Sequence, residues 1–126
     1  VSARLILDTR LAREWHSLHP MLLDVALALL EAWPAPELVV TSIYRTPEEN
    51  EAVGAATTVH SQMPHRAMDV RVRNLEEGGA PAALARLLNT RFVYDPSRQA
   101  LSVAVAKLHG TGPHIHLQVH PRTARA

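Results

Sequence analysis

The sequence predicts one α+β domain spanning 1–126, a small antiparallel sheet with N-terminal helices packed on it. Three observations carry that expectation. A helical apolar stripe ends by residue 33, and runs with strand character accumulate from residue 37 onward. With 47% apolar and 20% charged side chains, 126 residues suffice for one packed core and are too few for two.

Leu22, Val25, Ala26, Leu29, Leu30 and Trp33 recur at helical spacing, which predicts a helix over 21–33 stopped by Pro34 and Pro36. The β-branched run 37–44 reads as a strand. Thr46, Pro47 and Glu49 then supply an N-cap, a first-turn proline and a capping-box glutamate, so a short helix is expected from Pro47 to near Gly54. Over 67–73, Met68, Val70 and Val72 alternate with Asp69, Arg71 and Arg73, the pattern of a strand with one buried face and Asp69 on the other. Gly78 and Gly79 interrupt the chain before a helix over 81–89 with Leu84, Leu87 and Leu88 inward. Strands are expected at 91–94, 101–106 and 114–119, and the tail 121–126 is expected to fray.

Composition excludes several classes of function. Thirteen basic and twelve acidic side chains leave a formal net charge of +1, too little field to gather phosphates, and aromatics are too sparse for a base-stacking platform, so no nucleic-acid partner is expected. Residues 1–13 lack the pattern of a signal peptide, and no apolar run reaches about 18 residues, so a soluble chain with no membrane partner is expected, and a monomer. Without cysteine, a metal would have to be held by imidazole, carboxylate or water.

Histidine is the unusual residue. Of eight, His60, His65, His109, His114, His116 and His120 lie in or beside two short segments, while His16 and His19 have no partner pattern. On a strand, His114 and His116 project to one side while Ile115, Leu117 and Val119 take the other. Asp69 sits on the polar face of a second strand and His60 precedes it. Two histidines and an aspartate, with water as the fourth ligand, form a catalytic-type zinc set, and its open position suits hydrolysis of an amide or ester. His120 gets no role.

These segments come in a recognisable order: Thr41 to Thr46 followed by Asn50; Val59-His60 through Arg66 to Val70; then His114-Ile115-His116. Together they resemble the zinc D-Ala-D-Ala carboxypeptidase family, whose fold is shared with certain phage endolysins and the Hedgehog signalling domain, from about residue 39 to 119. The resemblance implies a Hedgehog/DD-peptidase-like fold, His60, Asp69 and His116 as Zn2+ ligands, and Arg45 as the cation that binds the substrate's carbonyl or carboxylate. Thr58 would stand near the family's small hydroxyl residue. Two departures are visible. Eight residues separate His60 from Asp69 where common members have six, and Pro113 occupies the position of the usual catalytic carboxylate. His114 is the substitute base, since an imidazole titrates near neutral pH, and His109 is in reserve.

A rival first ligand is His65, because His65 to Asp69 with His114-Ile115-His116 resembles lysostaphin-type endopeptidases. Arg71 shares Asp69's face and is suited to orienting a carboxylate; Arg66 is assigned to a fold contact. The implied function is a zinc metallopeptidase that hydrolyses amide bonds in peptidoglycan stem peptides, of carboxypeptidase or endolysin type, acting in the cell wall or periplasm. Two alternatives stay open: a non-catalytic metal-containing module that binds peptidoglycan or a protein partner, and a phage structural module of the same fold.

Overall fold

Proline and short polar side chains set the helix starts. In the structure, a computed structural model describing residues 3–44, 64–73, 75, 79–108 and 112–126, helix α1 (Thr9–Trp15) begins where Asp8 accepts the Leu11 N–H at 2.8 Å. Helix α2 (Pro20–Ala32) opens with Pro20 in its first turn, capped by His19, whose Nδ1 accepts the Met21 N–H at 3.1 Å. That cap needs a neutral imidazole. Burial and then the nearby Arg66 charge lower the His19 pKa, in keeping with the role. Helix α3 (Ala80–Arg91) again carries a first-turn proline, Pro81.

The described residues hold seven strands, in chain order β1 (Arg4–Ile6), β2 (Glu37–Ile43), β3 (Ala67–Arg71), β4 (Phe92–Val93), β5 (Ala104–Lys107), β6 (His114–Gln118) and β7 (Ala124–Arg125). The main sheet runs β1-β2-β3-β6-β5. It is mixed, which corrects the expected antiparallel sheet: β1 pairs parallel to β2, and the other three pairings are antiparallel. The α+β class stands, with three helices among the described residues.

One face of this sheet carries the core. Val40, Met68, Val70, Ile115 and Leu117 are buried with Leu22, Val25 and Leu29 of α2 and Leu84 and Leu88 of α3. Each such side chain stabilises the fold by about 1.5–3 kcal/mol relative to exposure.

Two further expectations change. The segment over 91–94 ends α3 and contributes only β4, which pairs with β7 and not with the main sheet. The tail is therefore tied down. Thr123 Oγ1 donates to the Tyr94 carbonyl at 2.6 Å and accepts the His120 N–H at 2.8 Å. Asp95, fully buried, accepts from the Ser97 N–H at 3.0 Å and hydroxyl at 2.8 Å, with Arg98, Arg122 and His120 around its other oxygen. The helix expected from Pro47 to Gly54 lies outside the described residues.

Candidate functional site

Strand alternation and register assemble the site. Antiparallel pairing sets Asp69 opposite His116, Arg71 opposite His114 and Ala67 opposite Gln118, all on the sheet face turned away from the core. On β2 the register shifts between Val40 and Ser42, and Ser42 comes opposite Asp69. The ladder continues past the strand end, where the Tyr44 N–H donates to the Ala67 carbonyl at 3.2 Å. Tyr44 is thereby carried to the polar face, and its ring meets that of His116 edge-on, centroids 5.6 Å apart.

The structure thus brings together Asp69, His114 and His116, as the sequence predicts. Asp69 Oδ1 lies 2.9 Å from His116 Nδ1 and 3.6 Å from His114 Nε2. His60 and Arg45, with Thr58 and His109, lie outside the described residues. His65, the rival first ligand, is 1% exposed with its Nε2 3.2 Å from Glu14 of α1, and its backbone bridges to Ser17 and His19. Its ring is engaged in joining α1 to the approach to β3.

Donor and acceptor bookkeeping gives this cluster its chemical character. His114 Nδ1 is 2.9 Å from the Gly112 carbonyl, and a carbonyl only accepts, so Nδ1 carries hydrogen. Nε2 of the neutral ring then presents a lone pair towards Asp69. The Gln118 amide nitrogen donates to the Ser102 carbonyl at 2.9 Å, which turns Oε1 towards His116 Nε2 at 3.3 Å. At His116 the shorter contact decides: the Asp69 carboxylate only accepts, so Nδ1 carries the hydrogen and donates to Oδ1 at 2.9 Å.

Asp69 Oδ1 thus has the His116 N–H at 2.9 Å and His114 Nε2 at 3.6 Å. Side-chain exposure is 5% at His116 and 16% at Asp69, so water screens this pair little. Zinc ligands of this type lie about 2.0–2.2 Å from the ion, so two of them stand no more than about 4.4 Å apart, a condition that 2.9 Å and 3.6 Å both meet. Among the described residues, no set of three or more His, Cys, Asp or Glu side chains is arranged to hold a metal.

Tyr44 and Gln118 are site residues that the sequence reading missed. Tyr44 donates its hydroxyl to Asp69; burial, then the Asp69 charge and this bond, raise its pKa and keep it a donor. Arg71, on the same face, has a buried Nε without a hydrogen-bond partner among the described residues. No helix among the described residues is long and apolar enough to cross a membrane. No family model, curated protein or solved structure matches the chain.

Proposed function

We propose that this chain is a zinc-dependent peptidase that hydrolyses amide bonds in peptidoglycan stem peptides. The observation that carries the proposal is the placement of His116 Nδ1 and His114 Nε2 within 2.9 Å and 3.6 Å of Asp69 Oδ1 on one face of the sheet. Asp69 and His116 would hold the ion with His60, the third ligand by resemblance. Zinc held by two imidazoles and a carboxylate supplies Lewis-acid activation of water towards a carbonyl.

The remaining residues take roles that their contacts support. His114 is fixed by the Gly112 carbonyl with Nε2 free of hydrogen, which suits it to accept a proton beside the metal pair. Tyr44 donates its hydroxyl to Asp69 and so helps to fix the orientation of that side chain. Arg71 offers a cation on the same face for a substrate carboxylate or carbonyl, alongside Arg45 from the resemblance.

A second reading, a module that binds peptidoglycan without cutting it, is favoured by one feature: Pro113, exposed at the turn before β6, supplies no carboxylate. Purified protein equilibrated with zinc and freed of excess should hold one ion per chain. Incubated with cell-wall sacculi or D-Ala-ended peptides, it should release new amines, and a chelator should stop the release. Sacculus binding at full zinc occupancy without amines would favour the module; absence of zinc would overturn both readings.

A further inference from the structure

We propose that Arg98, His120 and Arg122, gathered around the buried carboxylate of Asp95, form a second binding site, one for a phosphate group. The site is independent of the zinc reading and lies at one end of the β4–β7 pair. Antiparallel pairing of Val93 with Ala124 sets the turn that follows β4 beside the turn that precedes β7. Each turn is closed by its own backbone: the Arg98 N–H donates to the Asp95 carbonyl at 2.9 Å, and the Thr123 N–H to the His120 carbonyl at 2.8 Å. Thr123 Oγ1, donating to the Tyr94 carbonyl at 2.6 Å, ties one to the other.

Asp95 holds the cations without consuming their donors. Its Oδ1 is taken by the Ser97 N–H and hydroxyl. Its Oδ2 makes no hydrogen bond among the described residues, although Arg98 Nε stands at 3.2 Å, Arg122 Nη2 at 3.7 Å and His120 Nδ1 at 3.8 Å. The carboxylate thus offsets repulsion between two guanidinium groups whose side chains are 52% and 62% exposed, and leaves a local excess of positive charge. Donors also face one another. His120 Nδ1 accepts the Arg122 N–H at 3.1 Å, so the neutral ring carries its hydrogen on Nε2, which lies 3.4 Å from Arg98 Nη2, a second donor. An oxygen seated against both would accept from each. Two guanidinium forks and an imidazole suit a tetrahedral phosphate, whose oxygens reach all three; a planar carboxylate is filled by a single fork.

The test titrates the full chain with inorganic phosphate at constant ionic strength and neutral pH, following the side-chain NMR signals of His120, Arg98 and Arg122. Saturable shifts at these residues are expected. Arg98→Gln and Arg122→Gln should each weaken binding by about tenfold, the worth of one charge-assisted hydrogen bond. Arg122 is the more exposed of the two, so its variant keeps the test open if Arg98→Gln fails to fold. Arg4→Gln removes an equal charge from β1 and should leave the affinity within about twofold of wild type, as expected of a local site and not of diffuse attraction.

A parallel titration with a glycerophosphate diester identifies the source: equal binding points to a phosphate-bearing polymer, and tenfold weaker binding to a free phosphate or monoester. Either result supports the site. Shifts that do not saturate, acetate binding as tightly as phosphate, or an Arg4→Gln loss equal to that of Arg122→Gln would overturn it.

Discussion

Strands β3 and β6 hold two faces on one ladder, and the faces obey different rules. Inward, Met68, Val70, Ile115 and Leu117 are 0–1% exposed and belong to the apolar core. Outward, Asp69, His114, His116 and Gln118 form a chain of polar contacts across the ladder. The inner face is a source of stability. The outer face gathers imidazoles and a carboxylate where the proposed function places its chemistry.

Substitutions one residue apart should separate the two. His116→Ala is expected to abolish amide hydrolysis and to weaken zinc binding by more than about a hundredfold, since four ligands share roughly 10–16 kcal/mol in structural zinc sites. Its metal-free stability should fall by under about 2 kcal/mol, measured by urea unfolding. Leu117→Ala should do the reverse, costing about 2–5 kcal/mol of stability while the folded fraction keeps its zinc affinity.

Smaller changes sharpen the contrast. Tyr44→Phe removes the donor to Asp69 and should lower zinc affinity or turnover by about tenfold, with little change in unfolding. Asp69→Asn replaces a charged acceptor by a neutral amide. It should eliminate zinc binding and lower the stability of metal-free protein by about 1 kcal/mol, because the charge-assisted bond from His116 Nδ1–H is weakened. Raised metal-free stability would contradict that bond.

The buried carboxylate of Asp95 offers a control away from the candidate site. The Ser97 N–H, then the Ser97 hydroxyl and the charges of Arg122 and His120, outweigh burial and hold Asp95 below the usual aspartate range. A folded-state pKa below the unfolded value contributes stability that is present above about pH 3.9 and is lost as pH falls through the lower folded value. Asp95→Asn should therefore melt below wild type at neutral pH, and the two curves should converge in strong acid.

Much of this arrangement was legible locally. The alternation that sets Asp69 apart from Met68 and Val70, and His114 and His116 apart from Ile115 and Leu117, depends only on the strand repeat, and the structure places those residues as expected. What escaped notice depends on distant or irregular features. A strict alternation from Leu38 and Val40 would send Tyr44 inward; the register shift before Ser42 reverses the parity, burying Ile43 and turning Tyr44 to the site. Strand β1 has three residues and gains its parallel partner only through β2, so no run marks it. The pairing of Phe92 with Arg125 that ties down the tail joins segments too far apart for a local pattern to show. Gln118 carried a faint signal, its place two residues after His116, but its value depends on the Ser102 carbonyl across the ladder.

A crystal structure of the zinc-soaked chain, with anomalous data collected on both sides of the zinc absorption edge, decides the matter. We expect one strong peak about 2.0–2.2 Å from both Asp69 Oδ1 and His116 Nδ1. A protein saturated with zinc in solution that shows no peak between these two atoms, or shows the metal on His116 Nε2, would contradict the assignment of this face as a metal centre.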